Sequence, residues 1–102
     1  MGVNKLRKLS LVATVLFAQA AFAGDPFLGA KVYNRHCAMC HGANGKAMVA
    51  GTPDFLHTNL LAKPDFVLKE FIKAGRGIMP SFQGVLKDPE IFDVISYIRT
   101  FN

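Results

Sequence analysis

The chain has 102 residues, two cysteines, no tryptophan and a formal net charge of +5. This length accommodates one small domain and leaves no room for a second. Three of the twelve lysines and arginines lie in residues 1–23, so residues 24–102 carry nine basic and seven acidic side chains, a net charge of +2. A balance so close to neutral gives no support to nucleic-acid binding.

The first 23 residues have the three-part pattern of a secretory signal peptide. Three basic residues precede an apolar stretch over residues 9–17, and Ala21-Phe22-Ala23 offers small side chains at the cleavage-determining positions. We therefore expect cleavage before Gly24, export to the periplasm and a mature domain of residues 24–102. An uncleaved membrane anchor is the alternative, but the apolar stretch is shorter than the roughly 20 residues that span a bilayer.

The first helix is predicted to begin at Asp25 and Pro26, since aspartate caps a first turn and proline tolerates the first helical position. It should run to about Cys37. Gly29 inside it costs about 1 kcal/mol relative to alanine, so either another element packs closely there or the helix is weak at that point. Side chains on one face recur at a spacing of four: Leu28, Val32 and His36.

Both cysteines lie in the segment Cys37-Ala38-Met39-Cys40-His41, which has the spacing of covalent c-type haem attachment. Two thiols three positions apart can reach the two vinyl groups at one edge of a porphyrin, and the imidazole that follows can bind the iron. We therefore predict one haem c, held by thioether bonds to Cys37 and Cys40, with His41 as an axial ligand.

Three other uses of the cysteine pair each lack a requirement. A structural zinc site needs four ligands, and only His36 and His57 remain to complete one. A thioredoxin-like dithiol needs strands between helices, and no run of alternating β-branched residues is present. A disulfide between residues so close would close a short loop and stabilise little.

Two further helices are predicted, separated by loops over residues 42–53 and 75–84 that are rich in glycine and proline. Pro64 and Asp65 begin the second helix and Gly75 ends it. Its inward positions are Val67, Leu68, Phe71, Ile72 and Ala74. The third helix begins at Asp88-Pro89-Glu90 and should reach the C-terminus, with an apolar stripe of Ile91, Val94, Ile95, Ile98, Tyr97 and Phe101.

The predicted fold is therefore all-α, with three main helices and two long loops. Loops of this length in a compact domain need something to pack on, and a cofactor would provide it. A chain this short also buries a small fraction of its surface, so a haem would complete its core.

The second axial ligand of the iron separates an electron carrier from a haem protein that binds external ligands. Met79 is predicted here, because it follows His41 by 38 residues, enough chain to reach the opposite face of the ring. Pro80 disfavours helical backbone at Met79, and Gly77 allows close approach to a porphyrin. The alternatives are His57, an open site and, less suited by position, Met39 and Met48.

These features resemble the class I c-type cytochromes, the small monohaem carriers of bacterial respiration. The resemblance implies the cytochrome c-like fold, with Gly29 allowing the first helix to cross the last near Tyr97. It also implies that the Pro53 carbonyl accepts a hydrogen bond from Nδ1 of His41 and raises the basicity of the imidazole. The matching positions are Gly29, Tyr33, residues 37–42, residues 51–53, Gly77-Ile78-Met79-Pro80 and Tyr97.

The predicted function is to carry one electron in the periplasm rather than to act as an enzyme. We expect a monomer that meets a redox-protein donor and acceptor transiently, and that meets a membrane only through them. The alternatives are a haem enzyme or gas sensor with a displaceable distal ligand, and a dedicated subunit or accessory of one periplasmic oxidoreductase. The basic side chains either surround the haem edge and steer acidic partners or are a scattered solvated set: Lys31, Lys46, Lys63, Lys73, Arg76 and Lys87.

Overall fold

The computed structural model describes residues 24–101, and the predicted signal segment of residues 1–23 lies outside the described residues. Four α-helices are present in the described part: α1 (Pro26–His36), α2 (Ala38–His41), α3 (Asp65–Ala74) and α4 (Asp88–Ile98), with a 3-10 helix over Leu60–Ala62. No named strand occurs within residues 24–101, which confirms the all-α prediction. No helix among these residues is both long and apolar enough to cross a bilayer.

Helix α1 begins where the sequence predicts, because Asp25 caps it. Its Oδ1 accepts hydrogen bonds from the backbone N–H groups of Phe27 at 2.8 Å and Leu28 at 3.3 Å. The backbone N–H of Asp25 itself donates to Oδ1 of Asp93 at 2.8 Å. The start of α1 is thereby tied to the middle of α4.

The glycine inside α1 marks the point where α1 crosses α4. A Cβ atom at Gly29 would lie 1.9 Å from the carbonyl oxygen of Asp93, so only a hydrogen atom fits between the two backbones. Close packing is therefore the reason for this glycine. Asp93, which Gly29 approaches, lies one helical turn before Tyr97. The ring of Tyr97 packs edge-on against that of Tyr33, with centroids 5.3 Å apart.

Helix α3 has the predicted bounds, and it ends at Gly75, whose φ of +72° is costly for any side chain with a Cβ. Its inward face is narrower than the sequence suggested. Leu68 is buried and Phe71 and Ile72 are half-buried, but Ala74 is exposed. The prediction for Ala74 was wrong because the buried face of α3 centres on Leu68 rather than on the stripe through Val67.

Helix α4 carries the predicted apolar stripe, but its ends differ from the prediction. Lys87 occupies the capping position, one residue before the predicted Asp88, and its backbone N–H donates to Oε1 of Glu90 at 3.0 Å. The helix ends at Ile98 rather than at the C-terminus. The buried members of the stripe are Ile91, Val94, Ile95 and Ile98.

Replacing Gly29 with alanine tests the helix crossing. Alanine normally stabilises a helix interior by about 1 kcal/mol over glycine, but here its methyl group would push the backbones apart. We expect a net loss of about 1–3 kcal/mol, which is typical of overpacking, measured by denaturant unfolding of the haem-loaded protein. Asn34→Ala on the exposed side of α1 is the control, and a stabilised Gly29→Ala protein would contradict the crossing.

Candidate cofactor site

A cavity of about 510 Å³ lies between the helices and the two long loops. This volume is in the range of about 300–1,000 Å³ typical of small-molecule and cofactor sites. Its walls are mostly hydrocarbon, and they suit a flat apolar ring. The apolar side chains that line it include Phe55, Leu61, Leu68, Phe71, Phe82 and Ile95.

The structure brings all five predicted site residues to this one cavity. Cys37, Cys40 and His41 line it from the end of α1 and from α2, whereas Pro53 and Met79 line it from the two loops. The cysteines are free rather than joined in a disulfide. Thiols for two thioether bonds, an imidazole and a thioether therefore border a single apolar space, a donor set that fits haem c.

The short helix α2 explains how Cys40 and His41 are presented. The sequence prediction missed this helix, because four residues are too few to show apolar periodicity. The backbone N–H groups of Cys40 and His41 donate to the Cys37 carbonyl at 3.2 and 2.9 Å. The two cysteines are thus separated by about one helical turn, and His41 follows Cys40 directly.

His41 is only 8% exposed, and its ring is held at one edge and on one face. Nδ1 lies 3.4 Å from the carbonyl oxygen of Pro53, the acceptor that the resemblance implies. A carbonyl can only accept, so a hydrogen bond here requires the proton on Nδ1 and leaves the lone pair on Nε2, which is the tautomer that an iron ligand needs. Burial lowers the pKa of His41, although the hydrogen bond to Pro53 opposes this effect. The neutral imidazole is therefore favoured.

The ring of Phe55 covers one face of the His41 imidazole. Phe55 was not among the site residues predicted from the sequence. The two rings stack with centroids 4.4 Å apart and an angle of 11° between their planes. Phe55 also stacks on Phe101, with ring centroids 6.4 Å apart. Phe101 in turn packs edge-on against Tyr33, with centroids 5.2 Å apart. The only signal in the sequence was an aromatic residue two positions after Pro53.

Met79 lies in a tight turn that begins just after α3. The backbone N–H of Arg76 donates to the Met79 carbonyl and that of Met79 donates to the Arg76 carbonyl, both at 3.0 Å. Gly77 adopts a φ of +59° between them. This turn places the half-buried Met79 in the wall of the cavity.

The alternative axial ligands lie elsewhere. Met39 and Met48 are 86% and 73% exposed. The side chain of His57 is 80% exposed, and its Nδ1 lies 3.7 Å from Oδ1 of Asp54. None of the three lines the cavity.

Comparison with known proteins agrees with this site. Residues 25–98 match the family model described as cytochrome c oxidase, cbb3-type, subunit III. Cytochrome c6 of Pyropia yezoensis is 34% identical over 101 residues, which covers 90% of this chain and 91% of that protein. The chain belongs to the class I c-type cytochromes. Cytochrome c6 of Picosynechococcus sp. is 39% identical over 100 residues, with 88% of this chain and 86% of that protein covered.

Solved structures show the same cytochrome fold. The cytochrome c6 of the diatom Phaeodactylum tricornutum superposes with a TM-score of 0.62 at 29% identity, over 74% of this chain and 91% of that one. The KustC0563 c-type cytochrome gives a TM-score of 0.65 at 28% identity, over 72% and 95% of the two chains. This cytochrome is thus a haem-carrying electron-transfer protein with covalently bound haem c, and Cys37 and Cys40 fit the attachment motif.

The other uses proposed for the cysteines find no support in the cytochrome structure. Burial, with the neighbouring Cys40 as a smaller cause, raises the pKa of Cys37 to about 11. A redox dithiol needs the opposite, a lowered thiol pKa. Within residues 24–101 no group of three or more His, Cys, Asp or Glu side chains is arranged to hold a metal ion.

Tyr33 fixes the segment that follows His41 in this cytochrome. Its hydroxyl donates to the Gly42 carbonyl at 2.6 Å, and the side chain is fully buried. Burial raises the pKa of Tyr33 far above its ordinary value. The phenol therefore stays protonated and bonded throughout the neutral range.

Tyr33→Phe should cost about 1–2 kcal/mol in unfolding free energy, because the buried Gly42 carbonyl loses its donor. The raised pKa also predicts a pH dependence: above about pH 10 the unfolded chain loses the phenolic proton that the folded chain keeps, so stability falls as pH rises. Unfolding of the haem-loaded protein between pH 8 and pH 11 would measure both effects, with Tyr97→Phe as control. A Tyr33→Phe protein with an unchanged alkaline slope would contradict this account.

Proposed function

We propose that this cytochrome carries one electron at a time in the periplasm, with haem c attached through Cys37 and Cys40 and the iron bound by His41 and Met79. One observation carries the proposal. A single apolar cavity is lined by two thiols, the buried imidazole of His41 and the side chain of Met79, while the alternative axial ligands Met39, Met48 and His57 lie outside it. Two protein ligands fill both axial positions, which favours electron transfer over binding of external ligands.

Each site residue has a definite task in this proposal. When bound, the haem supplies an iron centre that changes its charge by one without making or breaking a bond to substrate. His41 provides a neutral nitrogen donor. The Pro53 carbonyl accepts a hydrogen bond from Nδ1 of His41 and so raises the basicity of the imidazole. Met79 provides a neutral, soft sulfur that favours the ferrous state and raises the reduction potential.

In this proposal the encounter with acidic partners is transient, and Arg76 is the predicted cation best placed to steer it. Of the six predicted steering cations, only Arg76 lines the cavity, and it also lies 5.9 Å from the centre of the Phe71 ring. Lys73 is engaged within the molecule, since its Nζ lies 3.0 Å from Oδ1 of Asp88. The exposed members of the set are Lys31, Lys46, Lys63, Arg76 and Lys87.

A second candidate is a dedicated subunit of one periplasmic oxidoreductase. The description of the matching family model names a subunit of an oxidase, and this favours the candidate. Affinity purification from the native host separates the two functions. A free carrier should be recovered alone, whereas a dedicated subunit should be recovered with a stoichiometric partner.

Met79→Ala tests the distal ligand. We expect haem to stay covalently attached and the reduction potential to fall, on the order of 0.2 V within the roughly 0.8 V range that axial ligands set. The ferrous protein should also bind carbon monoxide rapidly. Redox titration and visible spectroscopy measure both effects, and Met48→Ala is the matched control. Wild-type behaviour in Met79→Ala would show that another residue binds the iron.

Mass spectrometry of the protein purified from its host tests attachment and processing together. We expect a chain that begins at Gly24 and carries the added mass of one haem, since thioether bonds survive denaturation. Acid–acetone extraction should leave the colour with the protein. A colourless polypeptide after extraction would contradict covalent attachment, and a retained leader would contradict cleavage before Gly24.

A further inference from the structure

Leu60 and Leu61 form part of the cavity wall, and they belong to residues 56–64, a segment with little regular structure. Its backbone hydrogen bonds are local, such as those from Ala62 to Asn59 and from Lys63 to Leu60, both at 3.1 Å. Among the described residues, every hydrogen bond that joins this segment to a distant part of the chain comes from Arg99. One side chain therefore provides the polar anchorage of this wall.

Arg99 follows the last residue of α4 and reaches three acceptors that lie 34 to 38 positions earlier in the chain. Nη1 donates to the Leu61 carbonyl at 2.5 Å, and Nη2 donates to the Lys63 carbonyl at 2.8 Å. Nε and Nη2 both donate to Oδ1 of Asp65, at 3.0 and 2.7 Å. The planar guanidinium can hold all three at once, which an ammonium group cannot do in the same geometry.

We propose that Arg99 is a positioning residue for electron transfer: its guanidinium holds the Leu60–Leu61 wall against the haem and keeps water out of that side of the cavity. The inference deepens the proposed function and rests on it. Water stabilises the more highly charged state of a buried group. Since the ferric site carries one more positive charge than the ferrous site, a closed wall raises the reduction potential.

The ion pair with Asp65 is not the essential part of this arrangement. The side chains of Arg99 and Asp65 are 34% and 43% exposed, and exposed pairs contribute little because water screens them. The two carbonyl contacts fix where the wall lies. Asp65→Asn, which keeps those carbonyl acceptors, should therefore disturb the haem far less than Arg99→Gln.

The test uses the haem-loaded protein with Arg99→Gln, Asp65→Asn and the control Lys63→Gln. Lys63→Gln removes one positive charge from the same segment but leaves the carbonyl that Arg99 binds. In Arg99→Gln we expect the equilibrium constant for one-electron reduction to fall about tenfold, which corresponds to about 59 mV. Binding of added imidazole to the ferric protein should be at least tenfold faster. Neither control should change either quantity more than about twofold.

The outcome that overturns the inference is an Arg99→Gln protein that melts at a lower temperature but keeps the wild-type potential and imidazole rate. Arg99 would then stabilise the fold without positioning the wall. If Arg99→Gln does not fold, Arg99→Lys takes its place in both measurements, since it keeps the charge but loses the planar fork.

Failure of the proposed ligation has a different signature. Wild-type protein would then lack the methionine–iron charge-transfer band or bind carbon monoxide rapidly. Hydrogen exchange at the amides of residues 60–63 still tests Arg99 in that case. Faster exchange confined to this segment in Arg99→Gln supports the anchor, and unchanged exchange overturns it.

Discussion

The crossing of α1 and α4 is the contact on which the rest of the structure depends. At Gly29 the two backbones approach so closely that a methyl group would overlap the Asp93 carbonyl. Asp25 at one end of α1 is tied to Asp93, and Tyr33 near the other end packs on Tyr97. This arrangement fixes where α1 places Cys37, and it makes Val94, Ile95 and Ile98 part of the cavity wall.

The surroundings of the His41 imidazole are formed by residues from other parts of the chain. Pro53 contacts the edge of the His41 ring and Phe55 covers its face. Phe101 supports Phe55, and Gly45 makes room for both, since a Cβ there would lie 2.8 Å from Cδ2 of Phe101. The protein therefore contacts the ring at both its edge and its face, and these contacts fix the orientation of the imidazole.

Local chemistry could be predicted from the sequence, and non-local contacts could not. The cap at Asp25 and the stop at Gly75 depend on neighbouring residues only, and both are found as predicted. The haem motif likewise depends on five consecutive residues. The stacking of Phe55 on His41 and the reach of Arg99 to Leu61 depend on chain segments that meet only in the fold. The Lys87 cap was missed because Asp88 is the better capping residue by type.

The size of the cavity has a consequence for the domain without its cofactor. The cavity of about 510 Å³ is lined mostly by apolar side chains, and these side chains lack close contacts on one side when nothing apolar fills the space. Haem in this cavity would supply the missing apolar contacts, so the domain should gain stability as the cofactor fills it. Loading of the cofactor and completion of the hydrophobic core are thus thermodynamically coupled.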